Sequence, residues 1–231
     1  DINPAGSSVP GEFELWNGQL WFIADDGTTG RELWTSDATE AGTELVADIN
    51  PTGDAGVVGL HPLGSALAMI VDQGIVSDDE LWATDGTSAG TELVATFSDI
   101  DHGSVAVKDG LLYFLADDGV SGKELWVSDR TVANTQLVYD HVDPGSNPES
   151  LVWTGTQLHF IASDGVNGRE LWSSDGTGAG TAMITDLEPT GSAFTSTTTL
   201  VTFDGITYFN FHDPALGREL YSTDGTASGT G

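Results

Sequence analysis

The tripeptide Glu-Leu-Trp begins at Glu32, Glu80, Glu124 and Glu170, and a Glu-Leu-Tyr variant begins at Glu219. The intervals are 48, 44, 46 and 49 residues, so one unit recurs five times along a chain of 231 residues. Nothing else in the sequence constrains the fold as tightly, because short near-equal units build their core from contacts between neighbouring copies. The units read as residues 5–51, 52–99, 100–143, 144–189 and 190–231 of one repeat domain.

Each unit carries the same punctuation. An apolar run such as Leu20-Trp21-Phe22-Ile23-Ala24 or Leu158-His159-Phe160-Ile161-Ala162 is followed by an Asp-Gly turn, then by the tripeptide. Ser/Thr-Asp-Gly-Thr comes next, then a second Gly-Thr and a short apolar run such as Glu44-Leu45-Val46-Ala47. Aromatic and β-branched runs bounded by Gly, Asp and Asn are strand signals, and Asp-Gly supplies the positive-φ positions of tight hairpins. A further strand precedes the first run, as in Ser150-Leu151-Val152-Trp153. Four short antiparallel strands per unit is the period of a propeller blade, so we expect an all-β propeller of about five four-stranded blades.

The run Glu170-Leu171-Trp172-Ser173-Ser174-Asp175-Gly176-Thr177, and likewise Glu80 to Thr87, resembles the ELWxxDGT repeat family of secreted bacterial proteins. The resemblance covers essentially the whole chain and implies repeats on a propeller-like scaffold, with no defined activity. The copies depart from the motif at Ala38 and Arg130 in place of Gly, at Asn134 in place of the later Gly, and at Tyr221 in place of Trp. The two ends are in phase, since Asp1-Ile2-Asn3-Pro4 matches Asp48-Ile49-Asn50-Pro51. That fits a closed ring of five or a window on a longer array, and the shortness of Asp1-Ile2 as a closing strand favours the window.

Charge narrows the partners. With 36 acidic and 6 basic side chains the formal charge is −30, which repels phosphate backbones and anionic headgroups. We therefore expect no nucleic acid and no membrane insertion, and a partner that is neutral or cationic. No apolar run of about 18 residues and no signal-like segment occurs, so the chain reads as a mature soluble protein or part of one. The 20 aromatic residues and 39% hydrophobic content are enough to fill a core. Zero cysteines remove disulfide scaffolds, thiolate zinc sites and cysteine nucleophiles. The acidity suits an extracellular or cell-surface setting, with the cytoplasm of a halophile as the competing reading.

The repeated side chains read mainly as scaffold. Trp34, Trp82, Trp126 and Trp172 are expected in the core between blades, and a row of sugar-stacking platforms is the functional alternative. Arg31, Lys123, Arg169 and Arg218 precede the tripeptide, which predicts one cation per blade paired with a carboxylate, while Asp79 marks the second unit as irregular. The Asp of Asp-Gly-Thr (Asp37, Asp85, Asp129, Asp175, Asp224) suits a turn that binds its own backbone. The first turn is ambiguous: Asp25, Asp26, Asp117, Asp118, Asp164 and Asp213 form either Asx-turns or, with the strand Glu six residues after Asp26, Asp118, Asp164 and Asp213, calcium sites.

No zincin pair, nucleophile elbow or phosphate-binding loop appears, although a glycosidase carboxylate pair can hide among so many acids. Function is then expected where units depart from one another, at Gly53 to Ser65, Ser98 to Val107, His141 to Pro148 and Gly191 to Thr198. These segments, read as loops, supply the candidate ligand-binding residues Asp99, Asp101, His102, His141, Asp143 and Asn147, and also carry Thr195. The expected role is a secreted, non-enzymatic binding or scaffold module for a glycan or protein partner. A calcium-stabilised structural subunit of a larger assembly, and a glycan hydrolase or lyase, are the alternatives.

Overall fold

A computed structural model describes residues 1–72, 74, 78–140, 146–189, 191–195, 198–213 and 216–231. It contains five antiparallel sheets in sequence order. The first is β1 (Gly11–Trp16), β2 (Gln19–Asp25), β3 (Arg31–Ser36) and β4 (Thr43–Ala47). The second is β5 (Val57–Pro62), β6 (Leu67–Val71), β7 (Asp79–Thr84) and β8 (Glu92–Phe97). The third is β9 (Asp99–Lys108), β10 (Leu111–Asp117), β11 (Lys123–Ser128) and β12 (Gln136–Tyr139). The fourth is β13 (Glu149–Trp153), β14 (Leu158–Ser163), β15 (Arg169–Ser174) and β16 (Ala182–Thr185), and the fifth has three strands, β17 (Val201–Phe203), β18 (Ile206–Asp213) and β19 (Gly217–Thr223).

The chain divides into two compact units. The first holds Asp1–Ser98, Asp109–Leu112 and Asp129–Thr135, and the second holds the remainder. In the first unit, Trp21, Ile23, Leu33 and Val46 of one sheet pack with Val57, Leu67, Met69 and Val71 of the next, and Trp82 closes the cluster. In the second unit, Ile161 and Leu171 pack with Leu200, Phe209 and Phe211, and Tyr221 lies edge-on to Phe211 with centroids 5.0 Å apart. Trp34 and Trp172 are buried and Trp82 is partly so, which places the repeated Trp in core rather than on an open platform.

Successive sheets lock through one aromatic position. Trp21 lies over Gly86, Tyr113 over Gly176 and His159 over Gly225, each ring covering the glycine of the next Asp-Gly-Thr turn. A Cβ on Gly225 would sit 3.0 Å from His159 Nε2, and these glycines hold φ of 97°, 97° and 91°. Register puts Ala68 at the ring position of the second sheet, and Arg130 replaces the glycine of the third. Ring and glycine are lost together, so the second departure has nothing to clash with. Ala38 (φ 72°) and Arg130 (φ 81°) keep the left-handed turn in spite of their side chains.

Two expected loops are strands. Ser98 to Val107 lies almost wholly in β9, and Gly53 to Ser65 contains β5. Both run with glycine and polar residues and lack the alternation that marks a half-buried strand.

Candidate functional site

The carboxylates of the repeat are engaged by the chain itself. Asp26 Oδ1 accepts the N–H groups of Thr28 and Thr29, both at 2.8 Å, and the Thr28 hydroxyl at 2.7 Å. Those bonds, the Thr29 N–H foremost, lower its pKa to about 2. Asp25 accepts Gly27 N–H at 2.6 Å, Asp117 accepts Gly119 N–H at 2.7 Å, and Asp118 accepts Val120 and Ser121 N–H at 2.9 and 2.8 Å. Asp164 takes Val166 and Asn167 N–H, while Asp213 takes Leu216 N–H and the Tyr221 hydroxyl. Among the described residues no three His, Asp or Glu side chains gather closely enough to share a metal ion. The Asp-Gly-Thr turns repeat one pattern, in which Asp85 Oδ1 accepts Thr87 N–H and hydroxyl, and the Thr87 hydroxyl accepts Gly90 N–H at 3.0 Å.

The strand glutamates form a latch. Glu32, Glu124 and Glu170 are fully buried. Glu32 Oε2 accepts Ile49 N–H at 2.6 Å, Glu170 accepts Leu187 and Ala193 N–H at 2.9 and 3.2 Å, and Glu124 accepts the Ser146 hydroxyl at 2.8 Å. Each carboxyl ties the segment leaving its sheet back onto the third strand. Burial pushes Glu32 and Glu170 up to about 7, outweighing the N–H bonds that pull them down. His159 is likewise a core residue: its Nδ1 lies 2.7 Å from Thr207 Oγ1, and burial lowers its pKa to about 4.

One open polar groove lies off the repeat. It encloses about 350 Å³ and is lined by Asp101, Gly103 and Ser104 of β9, by Glu149, Ser150, Leu151 and Val152 of β13, and by Thr198 to Leu200 before β17. First strands of the third and fourth sheets and the segment leading into β17 thus meet there. Ser150 holds φ of 59° in the bulge between Glu149 and Val152, and its hydroxyl donates to Thr198 O at 2.7 Å. The bulge recurs at Gly11/Glu14 and Val57/Gly59, so it is scaffold that aims the groove residues. Asp101 Oδ1 accepts Gly103 N–H at 3.1 Å, and Glu149 meets Arg169 at 2.6 Å. Two carboxylates and four hydroxyl side chains, Ser104, Ser150, Thr198 and Thr199, face one space. Such a lining offers acceptors and donors to a polyhydroxylated or cationic ligand.

Of the candidates from sequence, Asp101 lines this groove. Asp99 is on the same strand but pairs with Lys123 at 2.6 Å, and His102 is exposed outside the lining. Asn147 is exposed, with its carbonyl accepting Arg169 Nη1 at 3.1 Å. His141 and Asp143 lie outside the described residues. Ser104, Glu149, Ser150, Thr198 and Thr199 do not stand out in the sequence. Their one available signal is that they occupy matching positions at or just before the first strand of successive units.

No protein-family model and no curated protein matches the chain. Solved structures do. A puromycin hydrolase is similar at a TM-score of 0.58 and 15% identity, over 97% of this chain and 38% of its own. An oligogalacturonate lyase in complex with manganese is similar at 0.57 and 15%, over 99% and 65%. The β-propeller domain of the Trilobed protease from Pyrococcus furiosus, of open velcro topology, is similar at 0.58 and 8%, over 96% and 69%. The fold is a β-propeller. The likeness is one of fold, and this chain spans less than two thirds of the hydrolase and of the lyase.

Proposed function

We propose that this propeller is a non-enzymatic, extracellular binding or scaffold module of the ELWxxDGT type that takes a neutral glycan in the groove between β9, β13 and the segment before β17. The observation that supports this is the lining itself: hydroxyls and carboxylates, placed by first strands, in a space of about 350 Å³ that suits a few sugar units. A protein partner at the same face is the competing class. The presence of Asp101 and Glu149 in one groove favours a hydrolase or lyase as second reading. Against it, Glu149 is held by the Arg169 guanidinium at 2.6 Å, which fixes the carboxylate instead of leaving it free to move a proton. Calorimetric titration with neutral oligosaccharides tests the proposal, with Asp101→Ala expected to weaken binding about tenfold through loss of a charge-assisted hydrogen bond. Saccharide turnover that Asp101→Ala abolishes would favour the enzyme, and absence of saccharide binding would remove the glycan reading.

A further inference from the structure

Four of the six cations stand just before the Glu of the tripeptide, and among the described residues two of them pair with a carboxylate. Lys123 Nζ meets Asp99 Oδ2 at 2.6 Å in the third sheet, and Arg169 Nη2 meets Glu149 Oε1 at 2.6 Å in the fourth. The ladder carries this comparison to the fifth sheet. Val152 pairs with His159 as Val201 pairs with Tyr208, and Ser163 pairs with Arg169 as His212 pairs with Arg218, so one offset of 49 residues relates the two sheets. Glu149 therefore maps onto Thr198. That residue is buried and uncharged, while Arg218 is exposed and, among the described residues, forms no ion pair.

A cavity occupies the place of the missing carboxylate. Arg218, Thr198, Asn210 and His212 line a small space of about 30 Å³. A larger one of about 440 Å³ shares Arg218, Phe211 and His212 and has Glu188 in its wall. The small space has room for roughly two oxygen-sized atoms, and the larger falls in the range of pockets that hold small molecules.

We propose that Arg218 binds the carboxylate of a small monoacid or of a single uronic-acid sugar, the place that Glu149 fills in the fourth sheet. The planar fork of guanidinium donors suits a carboxylate, and Phe211 gives an apolar wall for the body of the ligand. Thr198 and Asn210 supply neutral polar partners beside the charge. Glu188 in the wall disfavours a second negative group, which limits the ligand to one carboxylate. The charge of −30 does not forbid this, since at about 0.15 M salt the field beyond roughly 8 Å is screened. Lys123–Asp99 and Arg169–Glu149 form within the same molecule. This space shares Thr198 with the groove on β9 and β13, but Arg218, Asn210 and His212 lie outside that groove's lining, so the Arg218→Gln result does not depend on glycan binding there.

Amide NMR titration of the labelled chain with D-glucuronate, acetate and D-glucose at 0.15 M salt tests the site. Glucuronate and acetate should both move the signals of Arg218 and His212, and glucose should not. Tighter binding of glucuronate would identify a sugar acid as the source of the carboxylate, and equal binding a small acid. Arg218→Gln should weaken the response at least tenfold, the scale of a charge-assisted pair. Thr198→Glu, which restores the carboxylate of the fourth sheet, should abolish it while the rest of the spectrum is kept. Glucose acting like glucuronate, or either variant binding glucuronate as the parent does, would overturn the proposal.

Discussion

The fourth and fifth sheets carry the same tripeptide position 49 residues apart, and it does different work in each. Glu170 and Leu171 are completely buried, whereas Glu219 is exposed and Leu220 is 74% exposed. The carboxyl of Glu170 holds two N–H groups of the segment after β16, and Leu171 lies under residues of the fifth sheet. No described segment covers β19 in that way. In the fourth sheet, burial of the motif is thus conferred by the segment after β16 and by the following sheet, and not by the motif itself. A repeat residue is worth what its neighbour makes of it.

Paired substitutions should widen that contrast. Leu171→Ala should cost about 2–5 kcal/mol in urea denaturation, the range for truncating a fully buried leucine, and Leu220→Ala less than about 0.5 kcal/mol. Equal costs would mean that the last sheet is covered. Glu170→Ala should cost about 1–3 kcal/mol, because it leaves the N–H groups of Leu187 and Ala193 buried without an acceptor, and Glu219→Ala should again be near zero.

The latch also sets a pH dependence of unusual sign. Glu32 and Glu170 have pKa values raised from 4.5 to about 7, so the folded state holds more protons than the unfolded chain between those values. Their stabilisation is complete below pH 4.5 and is lost as pH rises through about 7. Asp26, lowered from 3.8 to about 2, works in the opposite direction, its contribution being present above pH 3.8 and lost as pH falls through about 2. Thermal melts should therefore peak near about pH 4–5 and decline toward about pH 8, and Glu170→Gln should flatten the decline. A melting temperature that rises from about pH 5 to about pH 8 would contradict the latch.

The turns can be probed in the same way. Gly225→Ala should cost about 1–3 kcal/mol, since φ is 91° and the new Cβ meets His159 Nε2 and Gln157 Oε1. Ala38→Gly should instead stabilise by about 1 kcal/mol by releasing a left-handed alanine at φ 72°. Both are read from the same denaturation curves.

Much of the scaffold is legible in the sequence because it repeats. The Asp-Gly turns, the core Trp and the cation before Glu all come from residue type and interval. The latch is not legible, since the partner of Glu32 is a backbone N–H 17 residues on and any residue type but proline can supply it. The first strands β5 and β9 read as loops because Gly59, Gly103 and their polar neighbours lack a strand pattern. The groove is hidden for a related reason: Asp101, Glu149 and Thr198 stand about one unit apart in sequence and meet only when three sheets are in place. The paired departures Ala68 and Arg130 are present in the sequence, but only the ring-over-glycine contact explains why they occur together.

The turn carboxylates of the repeat are engaged by their own backbone, which leaves recognition to other residues. A thermal melt in calcium against chelator, at moderate salt so that general screening is already satisfied, tests it most directly. The two melting temperatures should agree within about 1 °C, because Asp25, Asp26, Asp117, Asp118 and Asp164 already accept the N–H groups of their turns. A large rise specific to calcium would contradict this and make those turns metal sites.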